Sequence, residues 1–226
     1  MKVIIFGASG MIGQGVLREC LLDERVDSVL VVNRAPTAGG HAAKVREIVH
    51  DDFTDFTTLA ATEEELASLD ACYFCLGVSA AGRSEEEYRR ITHDYTLAAA
   101  KALSPRGPAL TFTYVSGEGT DSTEQSRAAW ARIKGRTENE LLETDFQAYM
   151  FRPGYIHPRN GARSKTRSYR VMYGLTSWLY PVLHRLMPKH TTTTEHLGRA
   201  MLAVTSLQGE GPHVLYSPDI NRLGAK

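Results

Sequence analysis

The feature that most restricts what this chain can fold into is a glycine-rich turn close to its start. The apolar run Val3-Ile4-Ile5-Phe6 leads directly into Gly7-Ala8-Ser9-Gly10-Met11-Ile12-Gly13. A short β-branched run bounded by glycine reads as a buried strand. Beyond the turn, Val16, Leu17, Leu21 and Leu22 recur at helical spacing. A glycine turn that joins a strand to a helix suits a phosphate group. Gly7 permits the tight turn, Gly10 lets backbone N–H groups come close, and Gly13 lets the helix pack tightly on the sheet. The spacing is G-x-x-G-x-x-G rather than G-x-G-x-x-G. The expected occupant is the pyrophosphate of a dinucleotide, held by Gly7, Ser9, Gly10, Met11, Ile12 and Gly13.

The rest of the chain supports that placement. Further apolar runs at 28–33, 45–50, 71–76, 110–115 and 147–151 read as strands, and helical patterns fill 85–103 and 126–143. Alternating strands and helices without hairpin signals predict parallel βαβ units, and the strands' continuous apolar character predicts a sheet covered on both faces. The expected class is α/β, a doubly wound parallel sheet (a Rossmann fold) with a small C-terminal elaboration. One domain over 1–226 is expected, with 154–226 contributing a substrate or lid region. That region reads as a basic loop, an amphipathic helix over roughly 170–187, a capped helix from about 194 and a last strand at 214–216.

Composition removes several classes of partner. Among 226 residues, 26 basic and 26 acidic side chains leave no net charge, so no global field draws the chain to nucleic acid. Three cysteines, Cys20, Cys72 and Cys75, are too few for a disulfide framework. No secretory leader is evident, and no apolar stretch approaches the roughly 20 residues that span a bilayer. These readings predict a cytoplasmic protein, with peripheral membrane association left open and no indication of oligomeric state.

The end of the second strand bears on which dinucleotide binds. An Asp or Glu there bonds the ribose 2′-hydroxyl of NAD, whereas this chain has Asn33-Arg34. Loss of the acid and gain of a guanidinium favour NADP over NAD. Asp51, Asp52 and Phe53 follow the third strand. They suit either contact with an adenine or a simple helix cap, Asp being a preferred capping residue.

Together these marks resemble the atypical short-chain dehydrogenase/reductase family, especially its small Tat-interacting-protein-like and NAD-dependent-epimerase-like members. The resemblance covers roughly residues 2–206. It rests on GASGMIG after the first strand, Cys75-Leu76-Gly77 after the fourth, YVSGEG ending at Gly119, WARIKGRTENEL on the next helix, and FRPGYI after the sixth strand. It implies NADP(H) or NAD(H) along the carboxyl ends of the strands, where Leu76, Gly77 and Pro153 stand. It also implies a catalytic Ser at the end of the fifth strand, which maps to Ser116, and a Tyr-x-x-x-Lys on the next helix. The Lys maps to Lys134, but the Tyr position holds Trp130. An indole N–H donates a hydrogen bond yet is no acid near neutral pH. Tyr155 is the candidate substitute donor, ahead of Tyr88 and Tyr95.

Other constellations are discounted. Cys72-x-x-Cys75 falls in an apolar strand, where residues three apart point to opposite faces. His190 and His196 lack a third ligand, so no metal is expected, and Thr192-x-x-Glu195 fits a capping box. Residues 159–170 carry five basic and no acidic side chains, either as a solvated loop or as a site for an anionic ligand. The leading function is an NADP-dependent oxidoreductase acting on a small carbonyl substrate. The alternatives are an NADP(H)-sensing regulatory binding protein and a nucleotide-sugar epimerase-like enzyme.

Overall fold

The computed structural model describes residues 1–36, 42–163, 180 and 185–225. Its first strand, β1 (Lys2–Phe6), lies between β2 (Ser28–Asn33) and β4 (Ala71–Phe74), with Ile4 opposite Leu30 on one side and Cys72 on the other. β3 (Val45–Val49) continues the sheet beyond β2. β5 (Thr111–Val115), β6 (Gln147–Arg152) and β9 (Val214–Tyr216) continue it beyond β4. The seven strands are parallel, in the order β3-β2-β1-β4-β5-β6-β9. The chain therefore winds outward from β1 in one direction and then in the other. This is the doubly wound Rossmann arrangement expected from the sequence, and its topological switch lies between β1 and β4.

Because alternate residues of a strand face opposite sides, each strand feeds two cores. Val3 and Ile5 pack with Val16 and Cys20 of α1 (Met11–Leu22) and with Leu197 and Met201 of α6 (Thr194–Thr205). Ile4 and Phe6 pack on the other face with Ala99 and Leu103 of α4 (Tyr95–Leu103) and Leu141 of α5 (Ala129–Leu142). Cys72 and Cys75 divide between these two cores, as their spacing requires. Gly15 lets α6 lie against α1, since a Cβ there would stand 2.7 Å from Thr194 Cβ.

The helical pattern over 85–103 is α3 (Glu85–Arg89), capped by the Ser84 hydroxyl, then a π-helical turn (Arg90–Asp94), then α4. Three other elements lack a sequence signal because they are short. They are α2 (Glu63–Ala67), α7 (Ser217–Gly224), and a separate parallel pair in which β7 (Tyr155–His157) lies beside β8 (Thr191–Thr193). The cap of α6 differs from expectation by one residue. Thr193 accepts from His196 N, while the Thr192 hydroxyl donates to Asn221 Oδ1 at 2.7 Å. The helix expected over 170–187 and the basic stretch beyond Arg163 fall largely outside the described residues.

One buried ion pair ties the carboxyl-end half of the sheet together. Arg152, the last residue of β6, meets Glu138 of α5 through Nε at 3.0 and 3.1 Å and through a close Nη2–Oε2 contact. Glu138 is 1% exposed and Arg152 7%. The same guanidinium donates to the Tyr216 hydroxyl of β9 and to Ser122 in the loop after β5. Replacing one partner leaves the other charge buried without compensation, at a cost of about 3–5 kcal/mol. Arg152→Met is expected to lose stability on that scale in denaturant titration, and Arg152→Met with Glu138→Leu to recover most of it. A single variant as stable as the parent would refute this account.

Candidate cofactor site and active-site cleft

The glycine turn has the geometry that its residues imply. Gly7 adopts φ +79°, and a Cβ on it would stand 2.8 Å from Leu76 Cα. A Cβ on Gly13 would stand 2.3 Å from the Gly7 carbonyl oxygen. Side chains are therefore barred at both positions by neighbouring backbone. Gly10 N donates to Gly7 O at 3.0 Å, and Gly10 caps α1 without any side-chain hydrogen bond to the first-turn N–H groups. Those N–H groups open on a cleft of about 940 Å³ lined by Gly10, Met11 and Ile12. Across it, a Cβ on Gly77 would meet nothing within 4 Å. A helix N-terminus with free donors, facing space that side chains do not fill, fits a pyrophosphate.

The cleft runs over the carboxyl ends of β1, β4, β5 and β6, beside the topological switch. Of the residues expected from the sequence, Gly10, Met11, Ile12, Arg34, Leu76, Gly77, Ser116, Lys134, Pro153 and Tyr155 line it. Gly7, Ser9 and Gly13 shape the turn behind it. Four expected residues lie elsewhere. The Asn33 amide donates to Glu47 Oε1 at 2.8 Å. Phe53 is buried among Phe6, Phe56 and Tyr95, because the apolar ring gains more from the core than from the cleft rim. Asp52 closes a local turn by accepting from Thr54 N and Oγ1, and those hydrogen bonds hold its carboxyl below the usual carboxylate range. Asp51 is exposed and does not border the cleft. The segment takes neither expected role: Asp51 and Asp52 do not border the cleft, and the next helix starts at Glu63 with Thr62 as its cap.

The residues implied by family resemblance are brought together unevenly. Lys134 is half-buried on α5, and its Nζ donates to the Ser116 carbonyl. Desolvation pulls its ammonium down to about 8, with Glu138 one helical turn on opposing the fall. The Ser116 hydroxyl donates to Glu138 and lies 3.1 Å from the Phe151 carbonyl. It is turned into the buried ion pair, so its proton is committed away from the cleft. Trp130 packs its indole over Gly119, where a Cβ would stand 3.1 Å from Cη2, and is not a cleft residue. Tyr155 borders the cleft with its ring stacked on Tyr180 at 6.5 Å. Burial pushes the Cys75 thiol up to about 12, so it is neither a nucleophile nor an acid at neutral pH.

Sequence reasoning did not bring together two polar cleft residues. Glu118, in the loop after β5, and His190, at the end of the 3₁₀ turn Pro188–His190 before β8, meet through Oε1 and Nδ1 at 2.5 Å. Nothing local signals the pair, which is 72 residues apart in sequence.

Comparison with known proteins now decides the family. Residues 3–128, more than half of the chain, match the model of the NAD dependent epimerase/dehydratase family. The chain belongs to that family. Fmp52-2 of Aspergillus oryzae is 27% identical over 97% of this chain and 95% of its own length, and HTATIP2 of Rattus norvegicus is 27% identical over 69% and 62%. A short-chain dehydrogenase/reductase family oxidoreductase from Burkholderia thailandensis shares the fold with a TM-score of 0.69 at 19% identity, covering 100% of this chain and 93% of that one. Bordetella bronchiseptica WbmF, solved in complex with NAD+, does so with a TM-score of 0.67 at 15% identity, covering 99% and 76%. This epimerase-family chain therefore has the NAD(P)-binding fold of the atypical short-chain dehydrogenases. One expectation is corrected. Fmp52-2 and further full-length relatives are named as mitochondrial, which overturns the cytoplasmic placement.

The Lys134 shift has a sign that can be checked. Between about pH 8 and the ordinary lysine value of 10.5 the folded chain has lost this proton while the unfolded chain retains it. The unfolded state binds more protons there, so stability rises with pH across that window. The stability of the wild type minus that of Lys134→Met is expected to grow as pH rises from 8 to 10.5 in denaturant titrations. A flat difference would refute the desolvated amine.

Proposed function

We propose that this epimerase-family protein is an NADP(H)-dependent oxidoreductase acting on a small carbonyl compound. The observation that carries the reading is one continuous cleft. It joins the free N-terminus of α1 and the exposed Arg34 at one end to Lys134 and Tyr155 at the other. When bound, the dinucleotide supplies or accepts a hydride. The protein's part is placement and charge. The first-turn N–H groups of α1 hold the pyrophosphate. Arg34 at the end of β2 is a bidentate donor for a 2′-phosphate. Lys134 holds the nicotinamide ribose, and Pro153 with Leu76 and Gly77 forms the wall against which the ring rests. Residues 154–226, in one domain with the sheet, contribute β7 and Tyr155 to the substrate end. Gln14 of α1 bonds the backbone of Arg163 in both directions at 3.1 and 3.2 Å, which brings the start of the basic stretch beside the glycine turn and suits an anionic ligand.

The position of Trp130 favours a second reading, that of an NADP(H)-sensing regulatory protein. The indole sits over Gly119 where the usual tyrosine would face substrate.

Purified protein mixed with NADPH and a panel of aldehydes, ketones and quinones separates these readings. Turnover that disappears in Lys134→Ala is the expected result. Binding of NADPH with no turnover across the panel favours the regulator. Conversion of a nucleotide sugar without net NADPH consumption would replace both with an epimerase. Arg34→Ala is expected to raise the KM for NADPH by about tenfold or more while leaving that for NADH nearly unchanged. Equal effects on both cofactors would remove Arg34 from 2′-phosphate binding.

A further inference from the structure

Carbonyl reduction needs a proton for the new alcohol oxygen, and α5 offers none at the usual place. We propose, resting on the oxidoreductase reading above, that His190 supplies this proton and that Glu118 orients its ring.

The two residues form a pair inside the cleft. Glu118 Oε1 lies 2.5 Å from His190 Nδ1, and both side chains border the same space as Lys134. The short segment after β5 serves both functions. Lys134 Nζ bonds the carbonyl of Ser116 and would stand 3.9 Å from a Cβ on Gly117, while Glu118 follows directly with its amide donating to Pro153 O at 2.9 Å. The ribose-holding ammonium and the carboxylate–imidazole pair thus occupy neighbouring positions on one loop. Gly154 closes the arrangement from below. A Cβ there would stand 2.3 Å from His190 O and 2.5 Å from Glu118 Oε2, so the pair forms only over a glycine.

The chemistry follows from the partner atom. A carboxylate that accepts from Nδ1–H fixes the tautomer and leaves Nε2 as the exchanging nitrogen. As hydride adds to the carbonyl carbon, the C=O π pair moves to oxygen. The Nε2–H bond breaks, its proton bonds to that oxygen, and its electron pair stays on nitrogen. An alcohol and a neutral imidazole result, and water recharges the ring, whose side chain is 51% exposed. Alcohol oxidation runs the same transfer backwards. A purely structural tie is a weak reason for the pair, because an ion pair this exposed contributes only about 0–1 kcal/mol. Other donors are poorer. Trp130 is not acidic, and Cys75 is held at about 12.

The test compares wild type, His190→Ala, His190→Gln, Glu118→Gln and Tyr155→Phe with NADPH and the best substrate of the carbonyl panel. His190→Ala is expected to lower kcat by about 10²–10⁴-fold, with the Kd for NADPH by fluorescence within about twofold of wild type. Added imidazole is expected to restore part of that rate saturably, which repair of a structural tie would not do. Glu118→Gln should lose less, and Tyr155→Phe, at the substrate end of the cleft, should lose far less kcat than His190→Ala. Nitrogen-15 spectra of the histidines give a reading that needs no turnover. A protonated, hydrogen-bonded His190 Nδ1 is expected in the wild type and lost in Glu118→Gln. Should His190→Ala misfold, His190→Gln takes its place in the kinetic comparison. Full turnover in the His190 variants, or turnover lost in Tyr155→Phe instead, overturns the pair while leaving the oxidoreductase reading standing. A wild type inert across the panel overturns that reading and the proton role together, and a retained Nδ1 signal then assigns the pair to a structural tie alone.

Discussion

The arrangement of the cleft depends on a charge pair that the solvent hardly reaches. Arg152 and Glu138 meet where β6, α5, β9 and the loop after β5 converge, and each of those elements contributes a polar atom to the pair. Two ions in a dry interior are tolerated only when their remaining hydrogen-bonding capacity is filled. Ser116, Ser122 and Tyr216 fill it. The result is directional in a way that apolar packing is not. Glu138 draws the Ser116 hydroxyl inward, while the Ser116 carbonyl accepts from the Lys134 ammonium. The charged end of that lysine is positioned by a network one layer beneath it.

The fold was readable where its determinants are local. The turn Gly7–Gly13 specifies its own strand, its own helix and the ligand chemistry of the helix N-terminus, because each glycine answers a contact within the same unit or its nearest neighbour. Strands buried on both faces announce themselves as apolar runs, and the observed bounds of β2 and β9 match those runs. Their order follows from the handedness and adjacency rules of parallel crossovers.

What escaped was decided by tertiary competition. Phe53 has the position of an adenine contact, but a core of aromatic rings was available to it and took it. Asp52 caps no helix and closes a local turn on Thr54 instead. Glu118 and His190 were invisible as a pair. Their meeting requires β7 and β8 to find one another, and three-residue strands leave no periodicity to read. Ser116 lines the cleft where the motif puts it, yet its hydroxyl points the other way, since a motif fixes the backbone position and the buried carboxylate fixes the rotamer.

The parallel pairing of β7 with β8 bears on how such a protein diversifies. Two parallel strands must be joined by a crossover, so the chain between His157 and Thr191 leaves the rim of the cleft and returns to the same rim. Both of its anchor points belong to the small second sheet, and none of its described residues enters the seven-stranded one. Lengthening such a connection costs little, about 0.6 kcal/mol for each doubling. The length of this one segment can therefore change at little energetic cost without touching the glycine turn, Lys134 or the buried charge pair.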